Sequence, residues 1–293
     1  MIQVVVSCEH PDFTIACLQS LYANTKEKDL NILLIDNGTK NKKYMNVINQ
    51  KNTVVVNFDG NYGVSTAINI GFDFCRYHDQ DMMYFSNDHF VFPGWINQFK
   101  EIKFNIANSW IPYGLNIMDS MQFWIDNKDL SDGYRRSLLD YPEKLNNIWT
   151  YLTMLYGDDF EKWIYNNVTK SSLQEFVINK MWWAGCWCIS IDMLKKIDYF
   201  RTDCGLANHE DRLWWEQVLS EGYQCTHMNR SYIHHFGSIT TRKSGLTLNN
   251  RDKDLHDGSR TIGQLSKPIP AMSHDDRDRV SFAFNSMKKV VGR

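Results

Sequence analysis

Met82-Met83-Tyr84-Phe85-Ser86-Asn87-Asp88 is an apolar run that stops in three polar residues. Four large apolar side chains bounded by turn formers read as a short strand, Met82 to Phe85, buried on both faces. A carboxylate just after such a strand has two ordinary uses. It forms a turn or caps a helix, or it holds a hard divalent cation that also takes diphosphate oxygens. Taken alone, the stretch leaves both open.

Toward the N-terminus the same unit recurs. Ile2 to Ser7 is an apolar, β-branched run, and Pro11 then opens a helical pattern (Ile15, Leu18, Leu21, Tyr22) with proline in the first turn, where its missing N–H is not needed. Asn31 to Ile35 reads as a second strand running into the turn signal Asp36-Asn37-Gly38, and Thr53 to Val56 as a third. Asn61-Tyr62-Gly63 opens a helix whose apolar positions Val64, Ala67, Ile68, Gly71, Phe72 and Cys75 recur at helical spacing. Strands alternating with helices of this length predict an α/β fold, a mostly parallel sheet flanked by helices. Ligands bind such sheets beyond the carboxyl ends of the strands. Ser7 to His10, Asp36 to Gly38 and Ser86 to His89 all fall there, so three polar clusters are expected on one edge.

Toward the C-terminus the pattern changes. Seven of the ten tryptophans fall between Trp110 and Trp187, which marks a distinct region. Residues 116–180 read as a helical, Trp-rich insertion. Strand character returns at Ala184 to Ile191, followed by a helical Met193 to Ile197, a helix from Glu210 to Glu221 closed by Gly222, and a short strand at Tyr232 to His235. Residues 241–293 form a polar C-terminal extension with a helical pattern from Arg277 to Val291. The expected division is 1–105, 116–180 and 182–240 within one domain of 240 residues, then the extension.

Composition narrows the function. With 293 residues, 43% hydrophobic and 23% charged, the chain can bury a proper core. A formal net charge of −2 provides no global field for a polyanion. No run of about 18 apolar residues occurs, and the chain opens directly in a strand, so neither a membrane span nor secretion is expected. Seven scattered cysteines without a CxxC pair argue against a disulfide framework or zinc ribbon and fit a reducing cytoplasm, of a cell or of a virus-infected host. Cys186 and Cys188, two apart, read as core.

Four clusters could carry chemistry, and each has a plain structural reading beside it. Asp88 is a turn former or a metal ligand. Asn208-His209-Glu210-Asp211, at a helix start, places carboxylates where the helix dipole and unpaired amides favour them; capping is the ordinary use, though two adjacent acids leave one free to face a cleft. His234-His235 is surface or core, or completes a metal shell. Asn61-Tyr62-Gly63 is a tight turn before a helix on which Ser65 and Asn69 share a face.

In order along the chain, SCEHPD (Ser7 to Asp12), LLIDNGT (Leu33 to Thr39), NYGVSTAINIG (Asn61 to Gly71), MYFSNDHFVFPGW (Met83 to Trp95), WWAGCWCISIDMLKKI (Trp182 to Ile197), NHEDRLWW (Asn208 to Trp215) and HHFGS (His234 to Ser238) resemble family 2 glycosyltransferases of the GT-A fold. The resemblance covers roughly residues 1–105 and 182–240. It implies a Rossmann-like GT-A domain, with 1–105 as the nucleotide-sugar-binding half and 182–240 as the acceptor and catalytic half. Ser7 and Glu9 correspond to the loop that meets the base, and Asp36 to the acid on base or ribose. Asn61, Gly63 and Asn69 correspond to the segment lining the nucleotide side, and Asn87 belongs to the same donor-binding set.

Asp88 corresponds to the last residue of the DXD-like triplet, on Mn2+ or Mg2+, with His235 as the late histidine that joins it. Asp211 corresponds to the catalytic base, and Glu210 to a group that orients or bonds the acceptor. The triplet here, Ser86-Asn87-Asp88, carries only one acid, and Cys8-Glu9-His10 departs from the family's first loop.

The activity so implied is inverting, metal-dependent transfer from a nucleotide sugar such as a UDP-sugar to an acceptor hydroxyl. A saccharide acceptor comes first, and a hydroxymethylated base in viral DNA is the alternative. A non-catalytic nucleotide-sugar or glycan-binding module is the rival from another class. A nucleotidyltransferase would need a glycine- and lysine-bearing phosphate loop that Ser7 to Phe13 lacks.

Overall fold

A computed structural model of the chain describes residues 1–8, 10–110, 177–179, 185–202 and 210–235. The expected insertion, except for Val177–Asn179, and the C-terminal extension lie outside these residues, as do Glu9, the Trp182-Trp183 pair and Asn208-His209.

Strand β1 (Ile2–Ser7) is buried at every position, as a strand covered on both faces must be. Its side chains alternate between two cores. Val4 and Val6 join Leu33, Ile35, Ala67 and Phe72 on one face, while Val5 joins Leu18, Leu21, Leu34 and Phe85 on the other. Helix α1 (Pro11–Asn24) supplies the second core and helix α2 (Val64–His78) the first. α2 approaches closely: a Cβ on Gly71 would lie 2.9 Å from Val4 Cγ1.

β2 (Ile32–Asp36), β3 (Thr53–Asn57) and β4 (Met82–Ser86) run parallel with β1 in the order β3-β2-β1-β4. Register sets Ser7 opposite Asp36, Asp36 opposite Asn57 and Val6 opposite Ser86. The polar clusters read from the sequence therefore do meet on one edge.

Beyond β4 the sheet becomes mixed. β5 (His89–Val91), α3 (Asn97–Glu101), β6 (Ile106–Trp110), β7 (Val177–Asn179), β8 (Cys186–Ile189), α4 (Ile191–Leu194), α5 (Glu210–Ser220) and β9 (Cys225–His235) follow in chain order. The sheet continues from β4 as β8-β6-β9-β5, with β7 also on β9. β8 is antiparallel to β4 and β6, β9 is parallel to β6, and β5 and β7 are antiparallel to β9.

The short β5, α3 and β6 were not legible in the sequence, and β7 is a strand at the end of the stretch read as helical. The strand expected at Tyr232 to His235 is the last part of the 11-residue β9. A register shift lies behind this: Ser109 pairs with Met228 and Trp110 with Tyr232. Such bulges re-aim a strand, and β9 uses this one to pass from β6 to β5, where His235 pairs with His89.

One turn on the polar edge depends on glycine. Gly38 has φ +82°, and a Cβ there would lie 2.5 Å from Gly60 C and 2.7 Å from Asn61 N. Gly38→Ala is expected to cost about 1–3 kcal/mol, read as a lower urea midpoint with an unchanged slope.

Candidate functional site

The strand ends are tied together before any ligand group is considered. Ser7 is fully buried, and its Oγ lies 2.8 Å from Thr14 Oγ1 and 3.4 Å from Thr39 Oγ1. Asn87 Nδ2 donates to the same Thr14 hydroxyl at 3.1 Å, and its backbone N–H donates to Val6 O at 3.0 Å. Asp36 is fully buried: Oδ1 accepts from Thr39 N at 2.7 Å, and Oδ2 accepts from both Lys42 Nζ and Tyr44 Oη. The Asp36 carboxylate thus anchors the loop after β2.

Asn37 joins that loop to the start of α2. Its Nδ2 donates to Asn61 Oδ1 (2.9 Å) and Gly63 O (3.2 Å), and its Oδ1 accepts from Tyr62 N (2.9 Å). Asn61, exposed to the edge, also donates to Cys8 Sγ at 3.2 Å. Gly63 caps α2 with φ 84°. Asn69 is further away in role: its amide clasps Phe200, donating to O at 2.8 Å and accepting from N at 2.9 Å.

Beside these loops, Asp88, His89 and His235 each present a donor atom within 4.8 Å of the others. Asp88 Oδ2 lies 3.2 Å from His235 Nε2, and Asp88 Oδ1 lies 3.7 Å from His89 Nδ1. His89 and His235 are direct partners across β5 and β9. Opposed residues of an antiparallel pair project side by side, and these two rings stack at 4.3 Å with 5° between their planes.

Ser86 sets both first groups. Its hydroxyl donates to Asp88 Oδ1 at 2.6 Å, and its carbonyl accepts from His89 Nδ1 at 2.9 Å. The His89 ring proton is then on Nδ1, and the Nε2 lone pair is left for a ligand. Nε2 is buried and has no hydrogen-bond partner among the described residues. Burial lowers the His89 pKa to about 3, with His235 adding to the shift and Asp88 opposing it, so the ring is neutral and able to ligate at neutral pH. Burial alone would raise the Asp88 carboxyl, but His235, His89 and the Ser86 hydrogen bond together hold it well below the usual carboxylate range.

The chemistry of this set fits a divalent cation: one carboxylate, two imidazoles and an unused buried lone pair. Gly185, just before β8, gives the rings room, since a Cβ there would lie 3.2 Å from His89 Nε2 and 3.3 Å from His235 Nδ1. Ser86→Ala keeps every ligand and the carbonyl that orients His89 but removes the hydroxyl that supports Asp88. It is expected to weaken Mn2+ binding about 10- to 100-fold, measured by calorimetry.

Glu210 and Asp211 open α5, Glu210 buried and Asp211 half-buried. Asp211 Oδ1 accepts from Arg212 N at 2.7 Å, and Oδ2 has no partner among the described residues. One turn later Trp214 fixes the helix. Its ring stacks on Phe200 (4.5 Å, 10°) and Trp187 (5.4 Å, 28°), and its Nε1 donates to Asp198 O at 3.1 Å. Trp187 in turn lies 5.3 Å from the ring of Tyr84 on β4. This aromatic column connects the first turns of α5 to β4, the strand that leads to Asp88. Burial raises the Tyr84 pKa, and the charges of Asp88, Glu210 and Asp211 add to the shift. Trp187 and Trp214 are core residues, not exposed stacking platforms.

Sequence reasoning missed His89, although it adjoins Asp88, because nothing local reveals its pairing with His235. It also missed Asn37 and Gly185, whose roles exist only through contacts with distant segments.

Among the described residues no helix is long and apolar enough to cross a membrane. No protein-family model and no curated protein matches the sequence. The fold, however, is shared with solved structures. The crystal structure of S. aureus TarS residues 1–349 matches with a TM-score of 0.51 at 10% identity, covering 98% of this chain and 71% of that one. GalNAc-T7, crystallised with UDP, GalNAc and Mn2+, matches with a TM-score of 0.50 at 11% identity, covering 80% of this chain and 43% of that one. Both are GT-A-type glycosyltransferases. The mixed α/β sheet flanked by helices is therefore that of the GT-A glycosyltransferase fold.

Proposed function

We propose that the chain is a metal-dependent, inverting glycosyltransferase that moves a sugar from a nucleoside-diphosphate donor to an acceptor hydroxyl, with a saccharide as first choice of acceptor. The observation that carries the reading is the Asp88–His89–His235 set at the carboxyl end of β4. Asp88, His89 and His235 would hold the cation. Two imidazoles favour a first-row transition ion such as Mn2+ over Mg2+, which prefers oxygen. When bound, the cation supplies positive charge that offsets the charge on the departing nucleoside diphosphate.

The protein's own groups divide the remaining work. Asn37, by holding Asn61 and Gly63 in place, shapes the nucleotide side of the cleft. Ser7, Asp36 and Asn87 support that side from within, through the internal bonds described above. Asp211 accepts the proton of the acceptor hydroxyl as its oxygen bonds to the anomeric carbon. The bond from that carbon to the phosphate oxygen breaks on the opposite face, and its electron pair leaves with the diphosphate. A single displacement inverts the centre. Glu210 orients the acceptor beside it.

A panel of UDP- and GDP-linked hexoses, assayed with Mn2+ for hydrolysis and for transfer to oligosaccharides, tests the reading, and proton NMR of the product gives the anomeric configuration. Transfer only to hydroxymethylated DNA would reassign the acceptor. Binding of donors without hydrolysis or transfer would leave a binding module.

A further inference from the structure

The first turn of α2 holds a polar group that the proposed chemistry leaves unused. Ser65 is 1% exposed, and its Oγ is buried without a hydrogen-bond partner among the described residues. A hydroxyl withdrawn from water without a partner costs free energy, so its place in a folded chain calls for a reason. Ser65 and Asn69 share one side of α2, which Phe72 and Arg76 continue. The lower members of that stripe face the chain leading into α5. Asn69 clasps Phe200, Phe72 packs on Phe200 and Trp214 at 5.8 and 6.0 Å, and Arg76 donates to Leu194 O and Ile197 O at 2.8 and 2.7 Å. Ser65 is the member nearest the start of the helix.

That start stands at the carboxyl edge of the sheet. Asn37, just beyond β2, donates to Gly63 O at 3.2 Å, and Asn61 reaches Cys8 Sγ beyond β1 at 3.2 Å. The loop amides are satisfied, since Gly63 N donates to Asn61 Oδ1 and Tyr62 N to Asn37 Oδ1, both at 2.9 Å. The helix itself has no side-chain cap. Its first bond of helical spacing runs from Ala67 N to Gly63 O at 3.4 Å. The N–H groups of Val64, Ser65 and Thr66 precede that bond and have no acceptor within the helix. Helical side chains lean toward the N-terminus, which carries the Ser65 hydroxyl toward those amides. The turn therefore joins hydrogen-bond donors to the positive end of a 15-residue helix, an arrangement that suits a phosphate.

We propose that the first turn of α2, through the Ser65 hydroxyl and the amides of Val64, Ser65 and Thr66, binds a phosphate of the nucleoside-diphosphate donor without help from the cation. The inference rests on the glycosyl-transfer reading. To the cation site at Asp88 it adds a hold on the diphosphate made by the protein alone. Hydrogen bonds to a charged phosphate oxygen are among the stronger ones. The Ser65 hydroxyl is thus a cost to the ligand-free fold and gains its partner from the donor.

Ser65→Ala in the full-length chain tests this, by calorimetry with uridine, UDP, guanosine and GDP, in EDTA and again with Mn2+. The wild type is expected to bind the preferred nucleoside diphosphate in EDTA about tenfold or more tightly than its nucleoside. The variant should lose about tenfold in affinity for that diphosphate under both conditions. Its nucleoside and Mn2+ binding should stay within about twofold of wild type. Because the change deletes an unpaired buried hydroxyl, the ligand-free Tm should equal or exceed that of wild type. Thr66→Asp puts a carboxylate where the helix dipole favours it. It should likewise keep the Tm, and weaken the diphosphate by repulsion.

Unchanged diphosphate affinity in either variant, or a wild type that binds nucleoside and diphosphate equally in EDTA, overturns this inference and leaves the glycosyl-transfer reading in place. Equal losses for nucleoside and diphosphate in Ser65→Ala would assign the hydroxyl to base or ribose, and a lower ligand-free Tm would make it structural; either result also overturns it. A wild-type chain that binds neither nucleoside diphosphates nor nucleotide sugars with Mn2+ removes the glycosyl-transfer reading and this inference together.

Discussion

Asp211→Asn is expected to lower transfer by about a thousandfold, within the range that general-base catalysis commonly contributes, while donor affinity stays within a few-fold of wild type. The asparagine keeps the shape of the side chain, and its carbonyl can still accept from Arg212 N, as Asp211 Oδ1 does. It cannot take a proton. Because Oδ2 has no partner among the described residues, the change breaks no internal contact that would loosen α5. Single-turnover rates with saturating acceptor, alongside calorimetry with the donor, separate the two effects. Wild-type-like turnover by the variant would remove the base assignment, and a larger loss in Glu210→Gln would move that role to Glu210.

Asp88→Ala is expected to weaken Mn2+ binding by at least about 100-fold and to reduce donor binding with it, so that activity falls to the level of wild type in EDTA. The variant leaves two stacked imidazoles without the charge that a hard cation requires. Folding stability should fall as well. The folded state holds the Asp88 carboxyl well below its usual range, so its charge stabilises the fold at neutral pH. Without added metal, the variant is therefore expected to melt below the wild-type Tm. Bound ligand at 100 times its Kd stabilises a fold by about 2.7 kcal/mol, and that Mn2+-dependent rise in Tm should appear in wild type and vanish in Asp88→Ala. Wild-type activity that survives EDTA would remove the metal from the mechanism.

Much of the parallel half of the sheet was legible because local pattern and tertiary demand agree there. β1 is a run of β-branched and apolar residues and is buried throughout, and Pro11 opens α1 as its backbone requires. The antiparallel half was harder. β9 reads Cys-Thr-His-Met-Asn-Arg-Ser-Tyr-Ile-His-His, with no regular alternation, because a register shift interrupts it and its neighbours change along its length. Segments as short as β5 and α3 carry too few residues for a period to show.

The candidate site divides in the same way. Asp88, Glu210, Asp211 and His235 announce themselves by residue type beside strand and helix ends, and the order of seven motifs suggested what they could do together. Asp36 and Ser7 were read at the right edge, yet their side chains face inward, to Lys42, Tyr44, Thr14 and Thr39. Residue type cannot say whether a polar group spends its hydrogen bonds on the protein or on a ligand.

By itself the sequence determined the alternation of strands and helices, and with it the edge on which a ligand could bind. Both follow from periodicity and chain-local turn chemistry. Only the tertiary structure decided that His89 stands beside His235, that Ser86 leaves a lone pair on His89 Nε2, and that Gly185 gives both rings room. His89 and His235 stand 146 positions apart, and over such separations pairing register and packing, not local propensity, choose which side chains meet.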